Sequence, residues 1–216
     1  HELRTPVTTI KGFIETLKEG AIDDPKNAER FLNIITKHIN RLNLLIDDLL
    51  TLSKLEQKPD EIKTVDENIY SLLRSVAEDY EFKANEKKIT VNIKCDEKLK
   101  ANINKHLLEQ AIGNLVDNAI KYSDKKSEIE LGAEEKDKQL QIYVKDEGYG
   151  ISDDHMPRLF ERFYRVDKGR SREEGGTGLG LAIVKHIINT MNGIIEVDSK
   201  PGKGSKFTVK IPQKYD

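Results

Sequence analysis

Cysteine is almost missing from this 216-residue chain, and the lone Cys95 cannot close an internal disulfide, which fits a reducing compartment. Long apolar runs are missing as well. No stretch approaches the roughly 18 residues a membrane helix needs, and no signal-peptide pattern opens the sequence. A soluble, cytoplasmic piece without membrane contact of its own is expected. Neither charge sign dominates: 36 basic against 38 acidic residues leave a net charge of -2, which provides no electrostatic reason to expect nucleic acid. Histidine is scarce, and His106, His155 and His186 have no ligand-spaced partners, so a zinc site is not expected. An initiator methionine is also lacking, and the chain reads as a piece cut from a longer protein. What is there is a solvated composition, 34% charged and 37% hydrophobic, long enough for one large or two modest domains with a real core.

The first fifty-odd residues carry helical periodicity. Leu3, Val7, Ile10, Phe13, Ile14 and Leu17 recur at three- and four-residue steps, the mark of one buried stripe. A break over residues 19–25 contains glycine and proline. A longer helix follows, with Phe31, Ile35, Leu42, Leu45, Leu49 and Leu52 on one seam and Leu32, Ile39 and Ile46 beside it. That stripe is too wide for a two-stranded coil and suits a four-helix bundle, which two hairpins supply when the chain forms a homodimer. His38 falls on the seam, where a polar residue sets register.

A polar, proline-bearing stretch at 56–60 reads as a linker, and the pattern then changes. The division expected is a helical hairpin at 1–58, a linker and incoming strand at 59–64, and an α/β domain at 65–216. Asp66 is expected to cap a helix reaching about residue 85, Asn104 another ending near Tyr122, and Ser152 a further one. Alternating segments at 89–93, 129–133, 140–144, 194–197 and 206–211 read as strands, with a turn at 200–204 between the last two. The fold class is therefore α plus α/β: an antiparallel helical hairpin, then a sandwich with helices layered on one mixed, mainly antiparallel sheet.

Glycine clusters carry the chemistry. Asp146-Glu147-Gly148-Tyr149-Gly150-Ile151 follows a strand directly, and Gly176-Thr177-Gly178-Leu179-Gly180-Leu181 opens a helical run. Glycine lets backbone approach a phosphate closely, and a helix N-terminus offers free N–H groups to an anion. Either cluster alone is more readily a simple turn. A third element adds weight: Asn114, Asn118 and Lys121, spaced by four and three, share a helix face. Amide oxygens there can ligate Mg²⁺ and the lysine can neutralise phosphate. An ordinary solvated helix face is the plainer reading, but Leu115, Val116, Ala119 and Ile120 already supply its buried side.

With these residues in view the chain resembles the sensor histidine kinases of two-component systems, with a HisKA-type phosphoacceptor hairpin and a Bergerat-type ATP-binding domain. His1-Glu2-Leu3-Arg4-Thr5-Pro6 is similar to their H box and residues 114–123 to their N box. Residues 146–150 are similar to the G1 box, 160–165 to the F box, and 176–181 to the G2 box. All stand in the family's order and together span the chain.

The resemblance implies that His1 accepts the γ-phosphoryl group of ATP, with Glu2 taking the other ring proton. It places Mg²⁺ on Asn118 with Asn114 nearby, Lys121 and Tyr122 toward the phosphates, and Asp146 on the adenine amino group. Arg165 would reach the γ-phosphate. Gly148, Gly150, Gly176, Thr177, Gly178, Leu179 and Gly180 complete the ATP-binding set, and residues 167–175 would form a mobile lid. Pro6 is expected to weaken the helix beside His1. Thr5, one turn from His1, would orient water for dephosphorylation of a response regulator receiver domain. Thr9, Gly12, Phe13 and Thr16 continue that face as a docking strip, although Phe13 has an equal reading as bundle core. A parent protein anchored in the cell membrane is the family's usual setting.

Two rivals remain. ATP hydrolases of the same superfamily typically carry glutamate where Asn114 stands, which favours phosphoryl transfer here. A non-catalytic signalling scaffold would tolerate degenerate motifs, and these are intact.

Overall fold

The computed structural model describes residues 2–57, 63–166 and 176–213. His1, the centre of the linker and the 167–175 lid segment, all singled out above, lie outside the described residues.

The hairpin pairs α1 (Arg4–Lys18) with α2 (Pro25–Gln57). Gly20, at φ +116°, turns the chain into a short 3-10 segment, Ala21–Asp23. Asp24 then caps α2, its Oδ1 accepting from the amides of Lys26 and Asn27 at 3.0 and 3.3 Å. Phe13 packs on Phe31 with ring centroids 5.2 Å apart. Pro6 sits in the first turn of α1, which begins at Arg4.

The apolar seam of the hairpin divides. Leu3 just before α1, Val7 and Ile14 of α1, and Leu32, Ile39 and Ile46 of α2 are exposed in the single chain. Leu45 and Leu52, read as the same seam, instead join the core of the α/β part. Their burial holds α2 there: each is worth about 1.5–3 kcal/mol. The exposed ion pair between Glu56 and Arg162 at the same junction contributes about 0–1 kcal/mol.

Beyond the linker the chain forms β1 (Val65–Asn68), α3 (Ile69–Lys87), β2 (Thr90–Cys95), β3 (Lys100–Ile103) and α4 (Lys105–Tyr122). There follow β4 (Glu128–Lys136), β5 (Gln139–Asp146), α5 (Gly180–Thr190), β6 (Ile194–Ser199) and β7 (Ser205–Pro212). The main sheet has the order β2-β4-β5-β7-β6, parallel only between β2 and β4. The helices cover its inner face, where Leu140, Ile142 and Val144 of β5 meet Phe207, Val209 and Ile211 of β7.

Three sequence expectations change. Asp66 does not cap α3; it lies in β1, which pairs with β3 as a small second sheet, and Asn68 is the cap, accepting from the amide of Ser71 at 2.7 Å. The incoming strand expected within 59–64 thus stands at Val65–Asn68. Ser152 makes no capping bond, and the segment after it is a 3-10 turn, Asp153–Arg158. Asn104 does cap α4, accepting from the amide of Leu107 at 3.0 Å.

Candidate functional site

A cavity of about 380 Å³ opens where the C-terminal end of β5, the α4 face and the N-terminus of α5 converge. From α4 it takes Asn114, Asn118, Lys121 and Tyr122, the same-face residues that the four-three spacing grouped. Asn114 also marks where α5 meets α4, since a Cβ built on Gly180 would lie 3.2 Å from its Oδ1.

Asp146 ends β5 in the inward register of Leu140, Ile142 and Val144, so strand parity delivers a carboxylate to the cavity floor. It is 6% exposed. Its Oδ1 accepts from the amides of Gly148 at 2.9 Å and Ser205 at 3.1 Å. Burial pushes this carboxyl above its ordinary value, and the two amide bonds offset that only in part.

Two glycines set the loops around it. Gly150 has φ +68°, and a Cβ there would stand 1.9 Å from the carbonyl oxygen of Lys200. The 200–204 turn is thereby clamped onto the loop, with the Gly202 amide donating to the Tyr149 carbonyl at 2.7 Å. Gly178, at φ +77°, backs onto Phe163, whose amide donates to the Gly178 carbonyl at 2.8 Å. This contact packs the 160–165 segment against the 176–181 segment and brings Arg165 into the cavity wall beside Gly176, Thr177 and Gly178.

Two of the expected ligand residues stand elsewhere. Leu179 is fully buried in the core, and Gly148 packs against the backbone of Tyr122 without lining the cavity. On the hairpin, Glu2 pairs with Arg41 at 3.7 Å. Thr5, Gly12 and Thr16 are exposed on α1, with Thr9 and Phe13 half-buried. The hydroxyls of Thr9 and Thr16 bond back to the carbonyls of Thr5 and Gly12, each at 3.0 Å.

Several wall residues were not legible beforehand. Tyr80 and Lys83 come from α3, Asp117 from α4, and Leu44 and Asp48 from α2. Asp117 pairs through Oδ2 with Lys121 at 2.5 Å and through Oδ1 with Lys83 at 2.9 Å. Burial alone would raise its carboxyl, but Lys121 and then Lys83 outweigh that and hold it below the ordinary value. Tyr80 is pushed up to about 12 by burial and the nearby Asp117 charge. Among the described residues no cluster of His, Cys, Asp and Glu suits a resident metal. The amide oxygens of Asn114 and Asn118 suit a cation that keeps its waters and arrives with a phosphate.

A mainly buried carboxylate, amides, a lysine and an arginine around one cavity, with a helix N-terminus at its rim, suit a base bearing several phosphates. Residues 103–215 match the family described as histidine kinase-, DNA gyrase B-, and HSP90-like ATPase. Residues 1–58 match the His Kinase A (phospho-acceptor) domain. The chain belongs to the sensor histidine kinases.

Among known sensor kinases, this one is 39% identical over its whole length to the sensor-like histidine kinase SenX3 of Mycolicibacterium smegmatis, covering 56% of that protein. The Acinetobacter baumannii histidine kinase AdeS superposes with a TM-score of 0.80 at 26% identity, over 100% of this chain and 98% of that one. Histidine kinase ThkA, solved in complex with response regulator protein TrrA, gives a TM-score of 0.80 at 26% identity, over 99% and 59%. The chain spans 36–56% of the length of its curated relatives. Among the described residues no helix is long and apolar enough to cross a membrane.

Proposed function

We propose that this chain is the catalytic core of an ATP-dependent protein histidine kinase, with a phosphoacceptor hairpin at 1–58, a linker at 59–64 and an ATP-binding domain at 65–216. The observation that carries this reading is the convergence of Asn118, Lys121, Asp146 and Arg165 on one cavity in a chain whose first residues match a phospho-acceptor domain.

In this reading Asp146 accepts from the adenine amino group through Oδ2, because Oδ1 is already held by Gly148 and Ser205. Lys121 and Tyr122 face the phosphates, Arg165 reaches the γ-phosphate, and the first turn of α5 supplies N–H groups. Asn118, with Asn114 beside it, would hold a Mg²⁺ that enters with ATP and neutralises phosphate charge. A ring nitrogen of His1 attacks the γ-phosphorus, the bond to the bridging oxygen breaks, and ADP leaves with the electron pair. Glu2 takes the other ring proton. A carboxylate of a response regulator then attacks the phosphohistidine and the N–P bond breaks.

The response regulator reading draws support from the fold shared with ThkA, which was solved with its response regulator. Thr9, Gly12, Phe13 and Thr16 form the docking strip, and Thr5 orients water when the kinase acts as a phosphatase. Leu3, Val7, Ile14, Leu32, Ile39 and Ile46, exposed on one hairpin, would be covered in a homodimer. The piece would lie in the cytoplasm, in a parent protein anchored in the cell membrane.

The test is incubation with ATP labelled on the γ-phosphate. Acid-labile, base-stable label on the protein is expected, and His1→Gln should abolish it while ATP still binds. Label that survives this substitution would place the acceptor elsewhere, and release of free phosphate without protein label would favour a plain ATPase.

A further inference from the structure

On the cavity wall, Asp117 lies between two lysines from different helices. Its side chain is 18% exposed, and each oxygen serves one cation: Oδ2 takes Lys121 of the same helix, and Oδ1 takes Lys83 of α3. Lys83 is held at that spot. Its ammonium stands 5.1 Å from the centre of the Tyr80 ring, and Tyr80 packs so closely on α4 that a Cβ on Gly113 would touch its ring at 3.2 Å.

This arrangement matters because Lys121 has two possible partners. It is bonded to Asp117 at 2.5 Å, whereas a polyphosphate would draw it away. Withdrawing the sole cation from a mostly buried carboxylate is strongly unfavourable, and a bare carboxylate next to Asn118 would repel the incoming anion. With Lys83 on the other oxygen, Asp117 keeps a partner when Lys121 leaves.

We propose that Lys83 is a positioning residue for nucleotide binding, holding Asp117 so that Lys121 is released to the phosphates. This rests on the reading of the cavity as an ATP site. Lys83 acts through Asp117 and touches no phosphate itself. Its effect should therefore appear in affinity for triphosphate, not in the rate of phosphoryl transfer at saturation, and should vanish when Asp117 has no charge to neutralise.

The experiment is calorimetric titration of the chain with a non-hydrolysable ATP analogue in Mg²⁺ buffer, with AMP as the control ligand. Lys83→Gln should weaken analogue binding about fivefold, the lower end of coupling between linked binding events, and leave AMP binding unchanged. Lys83→Arg should restore affinity. In an Asp117→Asn background, Lys83→Gln should have no further effect. At saturating ATP, labelling of Lys83→Gln should proceed at the parent rate. Analogue binding by Lys83→Gln equal to that of the parent chain would overturn the inference and leave the ATP reading standing. A full fivefold loss in the Asp117→Asn background would also overturn it, by showing that Lys83 meets the nucleotide directly. A parent chain that binds no analogue at all would bring down the ATP reading, and this inference with it.

Discussion

Thr177 donates its hydroxyl to Oδ2 of Asp48 across 2.6 Å, joining the glycine-rich rim of the cavity to the long helix of the hairpin. The same hydroxyl accepts from the amide of Leu179 at 3.2 Å, so one side chain fixes both the loop and its attachment. Removing it leaves a half-buried carboxylate oxygen without its donor. Thr177→Val should lower stability by about 1–3 kcal/mol, read by chemical denaturation. No change would mean that water replaces the hydroxyl there.

Asp48 and Asp117 should give opposite pH signatures. Burial raises the Asp48 carboxyl above 3.8, so the native state holds that proton more tightly than the unfolded chain. Its stabilisation is full below 3.8 and fades as pH rises through the raised native value. The Asp117 carboxyl is lowered: burial opposes its charge, but Lys121 and Lys83 prevail. Its stabilisation is present above 3.8 and is lost as pH falls through the lowered native value. Asp48→Asn should raise Tm at pH 7 and Asp117→Asn should lower it, the second difference shrinking on acidification below 3.8.

Asp146→Asn tests the base contact without breaking the floor of the site. An amide oxygen can still accept from Gly148 and Ser205, but an NH₂ group replaces the acceptor offered to an adenine amino group. Loss of a hydrogen bond to a charged acceptor is worth about 1.5–3 kcal/mol, so ATP affinity should fall on the order of tenfold to a hundredfold. Unchanged affinity with intact folding would remove Asp146 from the base site.

Gly150→Ala places a methyl group 1.9 Å from the Lys200 carbonyl oxygen, at a φ of +68° that alanine adopts at a penalty of about 1–3 kcal/mol even without the clash. Stability and nucleotide affinity should both drop. Gly202→Ala, also at positive φ but with nothing within 4 Å of the added carbon, should lose stability without the clash and bind nucleotide nearly as before.

Thr5→Ala should reduce dephosphorylation of a response regulator more than labelling of His1. Equal losses in both would indicate distortion of α1 and not a role for the hydroxyl.

The site was partly legible because local rules cover part of it. Asn114, Asn118 and Lys121 share a face through helical spacing alone, Asp146 follows a strand whose parity turns it inward, and Asn104 announces the start of α4. Asp66 misled because an aspartate before an apolar run looks like a cap, whereas pairing of Val65–Asn68 with Lys100–Ile103 takes those residues into a sheet. Nothing local distinguishes that outcome. Position in a glycine motif did not show that the side chain of Leu179 is taken up completely by the core.

The sequence alone therefore determined the two-part architecture, the family, and the residues whose neighbours lie within one turn or one strand. Tertiary structure decided the rest: Asp117 shared between Lys83 and Lys121, and Thr177 reaching Asp48 from 129 positions away. Periodicity says which face of a helix is buried, but not which surface covers it. Here Leu45 and Leu52 of α2 lie against the α/β core while Leu32, Ile39 and Ile46 of the same helix stay exposed, because the partner surface, and not the repeat, sets where each apolar stripe goes.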